Sequence, residues 1–243
     1  GARHRRDDAE LDLLAVALPG LTAATIAPER LRPLLAEVTT LRGLIDLGVE
    51  RGFTIWPEWG PTFTHLDKRI ENRPNPPPKN LVGKRIAFHN GAHVGGRPGR
   101  TAFDDGVDSV VETARAMGWL VTGFRSGDAR WIGFEKGDKV VRLDPRWDPL
   151  GGGQPVVEHG IGIVRSAITF TAVIAGFEPP TDSPKYPWQF ASDPEDSESW
   201  SYGWHVTDVV VLRAPIPCAG LQGPWTLAGA IEREAKRKAK AAR

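Results

Sequence analysis

The densest run of chemistry-bearing side chains is Lys68-Arg69-Ile70-Glu71-Asn72-Arg73, where cations, a carboxylate and an amide surround one apolar residue. Such a set can pair internally, grip phosphate, or read a nucleobase edge through adjacent donors and acceptors. As an extended segment it puts Lys68, Ile70 and Asn72 on one face and Arg69, Glu71 and Arg73 on the other. Neither set makes a core face, which predicts a strand edge or a loop beside a cleft. Most charged runs are solvated turns. This one has Trp56 and Trp59 before it, a proline-braced loop at Asn75-Pro76-Pro77-Pro78 after it, and then an apolar strand ending in His89.

Other candidate chemistry is weaker. His89 and His93 have helical metal spacing, but Gly91 between them disfavours a helix, and His65 and His205 add no cluster. No metal site and no cofactor are expected. The Gly- and Arg-rich segment 93–100, with Arg97 and Arg100, lacks the lysine of a phosphate loop. Cys218 follows Pro217 without a basic neighbour in sequence and reads as a packed, inert thiol.

The elements that must position these residues follow from pattern. Among 243 residues, 27 glycines and 21 prolines exceed the roughly 12% average usage and predict many turns and short strands. Residues 1–50 read as a helical extension, either packed on the main domain or an oligomerisation hairpin. A short helix covers Glu10–Leu18, and Leu34, Leu35, Val38, Leu41, Leu44 and Ile45 recur at helical spacing after Pro28 and Pro33. Strands are predicted at Phe53–Trp56, Leu81–Phe88, Trp119–Phe124, Arg130–Lys136, Asp138–Leu143, His205–Leu212 and Gly223–Leu227, with Arg130–Lys136 and Asp138–Leu143 joined through Gly137 as a hairpin. The run Ile161–Phe177 is one bent strand or two. A helix carries Phe103, Val107, Val110, Val111, Ala114 and Met117, with Thr101 or Asp104 as cap and Gly118 as stop. Segment 178–201, rich in Pro, Asp and Ser, is a lid or a disordered loop. From Ala228 a helical tail sets six cations against two carboxylates.

This order favours an α+β fold with a small mixed or antiparallel barrel. A net charge of +1 leaves nucleic-acid binding to a local patch. One cysteine excludes an internal disulfide framework. No apolar run spans a membrane, and Asp7, Asp8 and Glu10 precede Leu11–Leu21 where a leader carries positive charge. The chain reads as cytoplasmic.

Two stretches together resemble the ASCH domain, a PUA-like family. One runs from Trp56 through Lys68–Arg73 to Gly83-Lys84-Arg85-Ile86-Ala87-Phe88-His89-Asn90-Gly91; the other covers Tyr202-Gly203-Trp204-His205-Val206-Thr207-Asp208-Val209 and Pro215 to Leu227. Lys68, Glu71 and Arg73 match the last three positions of the family's Gly-x-Lys-x-x-Glu-x-Arg signature, with Leu66 at the glycine position. The resemblance covers about residues 53–227 within a domain of 51–227, with an insertion inside 93–158 and a basic helical tail at 228–243.

The resemblance implies a PUA-like small mixed β-barrel with flanking helices, holding RNA, DNA or a modified nucleotide in a cleft. The expected binding residues are Trp56, Trp59, Lys68, Glu71, Asn72, Arg73, Arg85, His89 and Trp204, with the tryptophans as stacking platforms. It also implies a second possibility. Some relatives hydrolyse 4-acetylcytidine, and ribonuclease activity occurs in the family. In those hydrolases the signature lysine works with a threonine three positions on; here that position is Glu71. If this chain is an enzyme, Lys68 and Glu71 are its catalytic pair, with water as the attacking group.

Overall fold

The computed structural model describes residues 26–93, 100–123, 131–192 and 201–241. The expected helix at Glu10–Leu18 and residue Arg97 lie outside them. The described residues form a mixed α+β protein built on a curled six-stranded sheet and five helices. In chain order these are α1 (Pro28–Glu37), α2 (Leu41–Asp46), β1 (Arg51–Ile55), α3 (Gly60–His65), β2 (Ile70–Arg73), β3 (Arg85–Asn90) and α4 (Arg100–Ala116). There follow β4 (Leu120–Thr122), β5 (Ile132–Lys136), β6 (Lys139–Asp144), β7 (Ile161–Gly162), β8 (Ala167–Glu178), β9 (Tyr202–Pro217), β10 (Pro224–Thr226) and α5 (Leu227–Ala241). The large sheet runs β10-β1-β3-β8-β9-β2, with β1 and β3 parallel and the other pairs antiparallel. The small sheet runs β4-β5-β6-β7.

Bulges produce the curl. Between the pairs Thr171↔Val210 and Val173↔Thr207, Asp208 and Val209 on β9 face Ala172 alone on β8. Asp208 takes the left-handed conformation there (φ 47°). Two more register shifts bend the β8–β9 ribbon, the longest in the fold, and each bulge adds local twist. The curl brings the edge strand β2 back towards β1: Arg73 Nη2 donates to the Thr54 carbonyl at 3.1 Å.

Inside the curl lies an aromatic core in which Phe88 and Phe170 stack at 4.6 Å, with Phe63 packed beside both. Residues from the expected insertion, including Val110 and Ala114 of α4 and Phe134 of β5, share this core. Ala87, Ile168, Val210 and Trp225 form a second core with Leu35, Leu44 and Leu227 of α1, α2 and α5.

Several expected elements move. The N-terminal apolar pattern is two helices, because Val38 turns extended (ψ 132°) and Thr40 caps α2 by accepting from the Gly43 N–H at 3.0 Å. Pro33 lies inside α1 instead of starting a helix. The strand expected at Leu81–Phe88 starts only at Arg85, since Gly83 is left-handed (φ 77°) and breaks the chain direction. Thr101 and Asp104 fall within α4, which begins at Arg100, so neither caps it. Of the two readings of the run from Ile161 the structure takes the second, two strands divided at Ser166 (φ 51°) and placed in different sheets; β9 extends well beyond His205–Leu212 at both ends. Gly118 (φ 80°) does end the long helix, and Gly137 (φ 58°) does turn the β5–β6 hairpin.

Candidate functional site

The site begins where α3 ends. Asp67 adopts a left-handed conformation (φ 57°), and the Lys68 N–H donates to the Thr62 carbonyl at 3.0 Å, which hooks the chain inward. Leu66, at the glycine position of the signature, has φ −108° and is buried, so no glycine is needed there. The turn also overrides strict alternation. Because β2 starts only at Ile70, Lys68 joins Glu71 and Arg73 although the extended reading put it on the opposite face.

Lys68 is 2% exposed and Glu71 5%. Lys68 Nζ donates to Glu71 Oε2 at 3.1 Å, and Arg73 Nη2 sits 2.7 Å from Glu71 Oε1. The ammonium also lies 4.5 Å from the Phe63 ring centre and 4.9 Å from that of Trp59, while the Arg73 guanidinium lies 4.5 Å over Phe53. Burial pulls the Lys68 ammonium below its ordinary pKa, against the opposing pull of Glu71. Burial by itself would raise the Glu71 carboxyl; Lys68 and Arg73 outweigh it and hold the carboxyl below its ordinary value. Two cations on one carboxylate leave the cluster with an excess positive charge. Desolvating these ions costs several kcal/mol each, offset only by good pairing, so stability alone is a weak reason for them to be here.

Above the cluster is a cavity of about 390 Å³, walled by Trp56, Trp59, Pro74, Phe190 and Ser201. Trp56 is 52% exposed, and the Phe190 ring meets Trp59 edge-on at 6.0 Å. Asn72 builds this wall. Its Nδ2 donates to the Trp188 carbonyl at 2.7 Å and its Oδ1 accepts from the Phe190 N–H at 2.9 Å, pinning that segment as an added strand would. Trp188 is itself buried, and its N–H contacts Met117 Sδ at 3.1 Å. The described part of the 178–201 segment is therefore a docked wall. Phe190 and Ser201 were not foreseen. A Trp and a Phe two residues apart in an otherwise polar loop were the available signal for the first; Ser201 had none.

The other expected residues lie elsewhere. Trp204 pairs with Glu71 across β9 and β2, but its ring packs into the core 5.0 Å from Phe53, and its Nε1 donates to the Asn75 carbonyl. A buried ring with its one donor occupied is no stacking platform. Arg85 donates to Thr171 Oγ1 and to the Asp208 carbonyl and carboxylate, on the bulged ribbon. His89 is buried against the Cys218 carbonyl (2.9 Å) and Thr54 Oγ1 (3.3 Å), and burial lowers its pKa. Asn72 lines the cavity with both amide atoms committed to the wall. Arg100 opens α4. Burial pushes the Cys218 thiol up to about 11. Among the described residues no three His, Cys, Asp or Glu side chains group as metal ligands, and no helix is long and apolar enough to cross a membrane.

Lys68, Glu71, Asn72, Arg73, Trp56 and Trp59 thus share one cavity, while Trp204, Arg85 and His89 do not line it. The cavity can take a flat, electron-rich ligand, stacked on indole and presenting acceptors to the two cations. Compared with protein-family models and with curated proteins the sequence matches none, so the reading of this cleft rests on its own geometry.

Proposed function

We propose that this chain binds nucleic acid or a modified nucleotide through an ASCH/PUA-like half-barrel, with one base held in the cleft over Lys68, Glu71 and Arg73. The observation that carries this reading is an aromatic-walled cavity of about 390 Å³ floored by a buried, net positive ion cluster. That volume lies within the roughly 300–1,000 Å³ of small-ligand sites. Stacking on an exposed indole such as Trp56 supplies about 1–3 kcal/mol per base, and the excess positive charge suits a polyanionic chain. Titration of the protein with single-stranded RNA and DNA at about 50 and 200 mM salt tests it. Salt-sensitive binding, weakened in Trp56→Ala, is the expected outcome; no salt-sensitive binding to either polymer ends the reading.

One observation favours hydrolysis as a second reading. Lys68 is buried beside a carboxylate and its pKa is lowered, and a desolvated lysine is tunable as a proton acceptor. On this reading Lys68 and Glu71 activate a water against an acylated nucleoside such as 4-acetylcytidine, or against RNA. Identical product profiles from wild type and Lys68→Met, after incubation with each substrate, eliminate it.

A further inference from the structure

From the hydrogen-bonding inventory of the cleft floor we infer which bases the site accepts: those with an oxo acceptor at the purine 6- or pyrimidine 4-position, guanine-like or uracil-like, in preference to those with an amino group there, adenine-like or cytosine-like. This rests on the base-binding reading above.

The floor has surplus donors and few acceptors. An ammonium carries three N–H donors and a guanidinium five. Lys68 gives one to Glu71, and the other acceptors it meets among the described residues are the faces of Phe63 and Trp59, which are weak. Arg73 gives Nη2 to Glu71 Oε1 and the Thr54 carbonyl; its Nε has no acceptor among the described residues but is buried, so what it offers a ligand is the exposed quarter of its side chain at the guanidinium end. Both oxygens of Glu71, the one lining carboxylate among the described residues, are already held by cations. Asn72 would be the natural two-way reader of adenine, through a paired donor and acceptor. It has spent both atoms on Trp188 and Phe190. Among the described residues Ser201 is the one lining hydroxyl, able to donate or accept.

A ligand amino group would therefore meet two cations and would have to compete with them for Glu71. A ligand carbonyl meets donors with no better partner. Arginine's fork also matches the O6/N7 edge of guanine. A good paired contact of this kind separates bases by roughly 5- to 150-fold.

Intrinsic tryptophan fluorescence, titrated with the 5′-monophosphates of uridine, guanosine, cytidine and adenosine and with ribose 5-phosphate, tests this on the full chain. The phosphate is common to all five, so differences report the base. Uridine and guanosine nucleotides are expected to bind at least about fivefold tighter than the other two. Equal or tighter binding of cytidine or adenosine nucleotide overturns the preference while leaving base binding intact. If no nucleotide binds better than ribose 5-phosphate, base binding itself falls and the preference with it. Arg73→Lys, which keeps the charge and loses the fork, is expected to lower guanosine nucleotide affinity more than uridine nucleotide affinity. A merely structural arginine would lower both alike, and that result also counts against the assignment.

Discussion

Glu71 and Asp208 each hold two basic side chains, one on each carboxylate oxygen: Lys68 and Arg73 on the first, Arg85 and Arg32 on the second. In composition the two clusters are near twins. The Asp208 cluster sits on the β9 bulge, where Arg85 also satisfies Thr171 Oγ1 and the Asp208 carbonyl, and Arg32 brings in α1. Its carboxylate is one-third exposed and its donors are used in joining elements. The Glu71 cluster is almost fully buried, yet it forms the floor of a cavity and has donors to spare. Charge density alone therefore does not distinguish a fastening from a site. What separates the two is the aromatic-walled cavity over Glu71, and the proposed role of that cluster rests on it.

The comparison can be broken at four points. The largest effect is expected for Glu71→Ala, which strands the Lys68 ammonium in a buried position and costs about 3–5 kcal/mol by urea denaturation. A loss below about 1 kcal/mol would mean that the pair is not buried in solution. Next is Trp56→Ala, which is expected to weaken binding of single-stranded nucleic acid by about 1–3 kcal/mol while leaving unfolding within about 0.5 kcal/mol. Asp208→Asn tolerates the left-handed backbone and removes only the charge. It is expected to cost about 1–2 kcal/mol of stability, with nucleic-acid affinity unchanged; a loss of affinity would erase the distinction between the clusters.

The smallest effect is in pH dependence. Burial lowers the pKa of His65 and His89 from the ordinary 6.5, so the unfolded chain takes up more protons below that value. Their contribution is complete above pH 6.5 and is lost as pH falls through the folded values. Glu71, lowered from 4.5, adds a second loss in the same direction at lower pH. Thermal denaturation across acid pH should show that second loss in wild type and Asp208→Asn but not in Glu71→Gln.

Much of the fold was legible because its signals are local. The stripe from Val107 to Ala114, the Gly118 stop and the Gly137 hairpin each depend on a few adjacent residues. Errors fell where one residue's backbone overrode a pattern: Thr40 capping a second helix and Gly83 delaying β3. Of the expected site, the charged run and its two preceding tryptophans converge because turn, helix and edge strand are neighbours in sequence. Trp204 and Arg85 were misplaced because their fates depend on distant partners, Phe53 and Asp208.

The sequence by itself determined that cations, a carboxylate and an amide would crowd into 68–73 close to two tryptophans, at a strand edge or in a loop, since residue type and chain proximity are carried locally. Only the tertiary structure decided that Lys68 would be buried, that Asn72 would be consumed in holding Phe190 as a wall, and that the cluster would open on a cavity. Those outcomes depend on the curl of the β8–β9 ribbon and on a loop that returns more than a hundred residues later, long-range contacts that no local pattern specifies.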